Sequence, residues 1–212
     1  TLAFASSSYQ KILRNFKKRF DRKNIQFGVS LNYNKVNGGA QIEQLEDYNK
    51  LLQEMDYLGV SAYHPLPVDF KARDFSWSLV SLKRELRKLD VHVPSNLDIQ
   101  YSEFGLGGGT QLNDGKTPAD SPSAAVLAPY SGIYGRYRRN RDPWKRNELT
   151  LFRRAYHQGF LKFLSKRARK HRIKNAFLWN ANSWDVHGLY SGDYADFEIV
   201  NQINDHNGSC LL

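Results

Sequence analysis

The sequence predicts an α/β fold built on a parallel sheet. Stretches with apolar residues at helical spacing alternate with short, continuous apolar runs. Glycine, proline or polar clusters bound most of those runs, as strand ends require. The composition, 41% hydrophobic and 25% charged over 212 residues, is that of a folded chain with a sizeable core.

The helix-then-strand order can be followed residue by residue. Ser6-Ser7-Ser8 is placed to cap a helix running to about Phe20, with Ile12, Leu13, Phe16 and Phe20 on its apolar side. Ile25–Tyr33 (IQFGVSLNY) reads as a buried strand. Asn37-Gly38-Gly39 breaks the chain before a helix over roughly Ile42–Met55 with Leu45, Tyr48, Leu51 and Leu52 on one side. Leu58–Tyr63 (LGVSAY) is the second strand, ended by Pro65 and Pro67.

A third helix, from about Phe75 to Leu89, carries Leu79, Leu82, Leu86 and Leu89, and Leu97–Phe104 is the third strand. The stretch from Gly105 to about Arg146 reads as a long irregular loop, either a functional loop over a cleft or a partly disordered insertion. The longest helix, Glu148–Lys170, precedes the fourth strand, Lys174–Trp179 (KNAFLW). A short helix near Phe197–Ile203 closes the chain. Strands separated by helices form right-handed βαβ units.

Charge and cysteine narrow the classes. The net charge of +10 comes from 31 basic and 21 acidic residues, and the basic runs alternate with apolar residues at helical spacing. They read as solvated helix faces, so nucleic acid is not the expected partner; the run Arg136-Tyr137-Arg138-Arg139-Asn140-Arg141 keeps that alternative open. A single cysteine, Cys210, excludes a disulfide framework within the chain. No apolar run reaches membrane-spanning length. The six histidines are scattered without zinc spacing, and Gly105-Leu106-Gly107-Gly108-Gly109 lacks the Lys-Ser/Thr of a phosphate loop. No metal or cofactor is therefore expected, and the glycine run is read as a flexible rim.

Candidate chemistry collects at the strand ends, where α/β barrels place their sites. The first strand ends in Asn32, the second in Tyr63-His64, and the third in Glu103. The fourth ends in Trp179-Asn180-Ala181-Asn182, with Trp184 and Asp185 just beyond. Glu103 stands in apolar surroundings, where a carboxylate is costly to bury unless paired. Its structural alternative is a strand-end glutamate paired with a lysine or arginine.

Ser102-Glu103-Phe104-Gly105 resembles the seventh strand of the retaining (β/α)8-barrel glycosidases, the clan of cellulases and endo-mannanases. Gly59–Leu66 (GVSAYHPL) looks like its sixth strand, Phe177-Leu178-Trp179-Asn180 like its eighth, and Val29–Tyr33 like its fifth. The resemblance implies that residues 1–212 form one domain, the C-terminal four βα units of a catalytic (β/α)8 TIM barrel, with a long loop 105–146. It implies a glycosidase hydrolysing a β-linked polysaccharide, mannan- or glucan-like, with retention.

Within it, Glu103 would be the nucleophile and Tyr63 would orient it. Trp179 would floor the sugar subsite, and Asn32, His64, Asn180, Asn182 and Trp184 would contact the oligo- or polysaccharide. The clan's acid/base glutamate ends the fourth strand, usually after an asparagine. No such pair precedes the first helix, so that residue is expected upstream of Thr1. A secreted location fits polysaccharide chemistry. A non-catalytic carbohydrate-binding relative and a basic nucleic-acid-binding α/β protein remain alternatives, and oligomeric state is left open.

Overall fold

A computed structural model describes residues 2–20, 25–32, 36, 45–112, 117–131, 142–179 and 196–209. The fold is mixed α/β. Four strands form one sheet in sequential order: β1 (Gly28–Asn32), β2 (Tyr57–Ser61), β3 (Asp98–Phe104) and β4 (Ile173–Leu178). The helices are α1 (Leu2–Arg19), α2 (Leu45–Glu54), α3 (Trp77–Lys88), α4 (Pro122–Leu127), α5 (Asn147–Lys166) and α6 (Phe197–Ser209). β1 and β2 pair in parallel, with Ser30 opposite Gly59.

The predicted strands and main helices are present, with their ends moved. α1 begins ahead of the serines expected to cap it, so Ser7 and Ser8 lie within the helix. Its apolar side is only partly covered. Leu13 is buried, but Tyr9, Ile12 and Phe16 are each about half exposed, at 51%, 48% and 46%. They line a small apolar hollow with Phe27 and Met55. The long irregular stretch also holds structure. Ser121 accepts from the Ala124 N–H and Pro122 opens the helix, so α4 forms where the glycine-rich composition read as loop.

The chain divides into two compact units. The first is Thr1–Ala62 with Trp77–Ser102 and His171–Ala176; the second is Tyr63–Ser76 with Glu103–Lys170 and Phe177–Leu212. β3 and β4 thus begin in the first and end in the second.

In the first unit, Leu51, Leu52, Leu58, Val60, Leu79, Leu82, Leu86 and Ile99 are buried. α1 is tied to α2 by polar contacts: Gln10 donates to the Asp47 carbonyl, and Arg14 pairs with Glu54. Asp56 accepts from Lys17 Nζ at 3.0 Å and from the Phe27 N–H at 2.8 Å, which fixes the approach to β1.

One contact reports the form of the sheet. The Ser30 hydroxyl on β1 lies 2.5 Å from the Ser102 hydroxyl on β3, although β2 runs between them. In a flat sheet, strands two apart are separated by about 10 Å, beyond the reach of two serine side chains. The sheet therefore curls toward this face. Gly59 on β2 permits it, because a Cβ there would stand 2.9 Å from Ser102 Oγ and 3.0 Å from Ser30 Cα. Gly59→Ala is expected to lower stability by about 1–3 kcal/mol through this overpacking. Chemical denaturation checks it, and an unchanged midpoint would contradict the curl.

The second unit is held by aromatic rings. Phe104 stacks on Phe160 of α5 with centroids 3.5 Å apart, and on Tyr156 at 5.6 Å. Phe75 meets Tyr156 at 5.1 Å and Phe160 at 5.4 Å. α6 is joined to α5 by Arg154, which binds Asp196 at 2.9 Å and Glu198 at 2.7 Å. No helix among the described residues is long and apolar enough to cross a membrane.

Candidate active site

Glu103 occupies the end of β3, and its setting follows from its neighbours. Along β3, Ile99 and Tyr101 are buried while Asp98, Gln100 and Ser102 are half-buried, the alternation of a strand with one covered face. The alternation then slips: Ser102 and Glu103 are both half-buried and Phe104 is buried. The Phe104 ring enters the Phe75–Tyr156–Phe160 cluster, which turns Glu103, its neighbour, to the other side. Burial pushes the Tyr101 phenol well above the usual tyrosine range, so this side chain stays neutral.

The structural alternative for Glu103 was an ion pair. Among the described residues none is formed with it. A half-buried carboxylate with no ion pair among the described residues gains little stability from them.

The sheet order places β2 and β4 on either side of β3. The Trp179 N–H donates to the Phe104 carbonyl at 2.8 Å, which seats Trp179 beside the end of β3. Trp179 is 38% exposed, and Phe177, two residues earlier on the same side of β4, is 52% exposed. Two accessible rings therefore stand one strand over from the carboxylate. Phe177 lies inside the apolar run KNAFLW and is not among the candidates the sequence singles out. The two-residue spacing to Trp179 was the signal that it shares the open side.

The remaining candidates fall in different places. Tyr63 and His64 follow β2 in the second unit. Tyr63 is 2% exposed, and the hydrogen bond expected from it to Glu103 is not formed. His64 is half-buried, with Nδ1 at 2.8 Å from the Pro65 carbonyl; donation to that acceptor puts the proton on Nδ1. Asn32 ends β1 in the first unit and is half-buried. Asn180, Asn182 and Trp184 lie outside the described residues, as does the basic run 136–141.

The glycine run after Glu103 is not the flexible rim its composition implies. Gly105 to Gly109 are buried, and the segment is pinned by distant partners. The Gly107 N–H donates to Pro129, the Gly109 N–H to Ser131, and the Gly108 carbonyl accepts from Ala119 at 2.7 Å. Gly108 has φ 81°, and a Cβ there would stand 2.8 Å from Pro143 and 3.1 Å from Trp144. Glycine serves close approach here rather than mobility. The described residues contain no group of three or more His, Cys, Asp or Glu able to hold a metal ion.

Compared with known proteins, the chain matches no family, no curated protein and no solved structure.

Adjacent residues on β3 are expected to respond in opposite ways. Phe104→Ala should cost about 3–5 kcal/mol by emptying an aromatic core position. Glu103→Gln should change stability by no more than about 0.5 kcal/mol, because no described partner is lost. Thermal and urea unfolding of both variants measure this; a large loss for Glu103→Gln would assign the carboxylate a structural role.

Proposed function

We propose that this chain forms the C-terminal four βα units of a (β/α)8-barrel retaining glycoside hydrolase. Its substrate would be a β-linked polysaccharide, mannan- or glucan-like, and Glu103 its nucleophile. The observation carrying this reading is the half-buried Glu103 at the end of a parallel strand, with no ion pair among the described residues, and the accessible rings of Phe177 on the neighbouring strand and of Trp179 just past its end. The curl of the sheet between Ser30 and Ser102 supports a barrel wall, since closure of a sheet requires such bending.

The chemistry follows from the groups. Glu103 attacks the anomeric carbon and forms a glycosyl-carboxylate ester as the bond to the leaving oxygen breaks. A second carboxyl group, in its protonated form, gives its proton to that oxygen; as the resulting carboxylate it deprotonates the water that attacks the anomeric carbon and releases the sugar with its configuration retained, which frees Glu103. A pyranose ring has apolar C–H faces, and Trp179 offers a flat apolar surface for one of them. Tyr63 would turn toward Glu103 once a sugar fills the site, and His64 would contact a sugar hydroxyl.

A fluorinated mannoside or glucoside with an activated aryl leaving group tests the nucleophile alone. Such a leaving group departs without acid assistance, and the fluorine slows release of the intermediate. Intact-mass measurement should show one added glycosyl group, mapped to the peptide holding Glu103, and none on Glu103→Gln. In the whole enzyme, Glu103→Gln should lower kcat/KM on the natural polysaccharide by at least about 10³-fold. Equal labelling of both proteins, or no labelling with either sugar, would overturn the assignment.

A further inference from the structure

A second feature of the Tyr63–Ser76, Glu103–Lys170 and Phe177–Leu212 unit is independent of Glu103. A groove of about 1240 Å³ runs along α5, bounded by the segment Val68–Arg73 and by α6. Its floor is apolar. Phe70 meets Phe152 at 5.8 Å and Tyr156 at 5.7 Å, and Val68 beside it is 47% exposed. The floor can form because α5 carries a glycine. A Cβ at Gly159 would stand 2.8 Å from the Phe70 ring.

The rim is cationic. Lys71, Arg73, Lys162, Lys166 and Arg167 line the groove against two carboxylates, Asp69 and Asp205. Arg73 reaches Asp74 at 3.7 Å; the other four form no ion pair among the described residues. Such an excess of unmatched cations favours an anionic partner. A polyanion without apolar groups would use the rim and leave Phe70, Phe152 and Val68 uncovered. The combination fits a partner with one acidic and one apolar side. From Phe152 to Lys166 the groove follows α5 for about 21 Å, the length of a helix of about 14 residues.

We propose that this groove docks an acidic amphipathic helix of a partner protein. The helix lays its apolar side on Phe70, Phe152 and Val68, and its Asp and Glu residues meet Lys162, Lys166 and Arg167.

Fluorescence anisotropy with the whole chain tests this. The probe is a labelled peptide of that length with leucines on one helical side and glutamates on the other. Two competitors are the same composition scrambled to remove the apolar side, and a heparin oligosaccharide. The amphipathic peptide should bind saturably, more weakly as salt rises. The scrambled peptide and heparin should bind at least about tenfold more weakly, and Lys162→Glu with Lys166→Glu should cost the peptide at least about tenfold. Val68→Ser should weaken the peptide and leave heparin unchanged. No saturable binding, equal binding of the scrambled peptide or heparin, or indifference to the charge reversals would overturn the proposal. Should the charge-reversed variant unfold, the scrambled-peptide comparison on the unaltered protein still decides.

Discussion

The arrangement around the candidate site depends on one side chain, Phe104, being buried. Its ring lies between Tyr156 and Phe160 of α5 and against Phe75, so it joins β3 to the long helix and to the segment that follows β2. A strand residue committed to one side commits its neighbours to the other. Glu103 is thereby held away from the aromatic cluster, with no ion pair among the described residues. The carbonyl of the same Phe104 receives the Trp179 N–H, so one residue positions both the acid and the indole.

Much of this order was legible in the sequence. Four apolar runs and the helices between them were readable because burial imposes a period on each, and the strand order follows from short, right-handed connections. Helix ends were less legible. The three serines read as a cap lie inside α1, because a capping residue acts only where the chain leaves the helix, and composition does not locate that point. Ile12 and Phe16 have core-like spacing yet are half exposed, since periodicity identifies a face and not what covers it.

The candidate site was legible by position more than by geometry. Glu103 and Trp179 are neighbours because their strands are, which sequence order conveys. Phe177 was missed because a run such as KNAFLW does not say which of its two sides is closed. The glycine run was misread for a related reason. Gly105–Gly109 has the composition of a loose loop, but its hydrogen bonds go to residues 119–131, a long-range fact that no local pattern contains.

The meeting of Ser30 and Ser102 over Gly59 has a genetic consequence. The two hydroxyls occupy the space that glycine leaves at position 59, so the effects of substitutions at the three positions will not add. Removing the Ser102 hydroxyl would relieve only part of the crowding at position 59, because the Ser30 Cα and Cβ stand 3.0 Å from where its Cβ would lie, so the backbone of β1 itself holds this position to glycine.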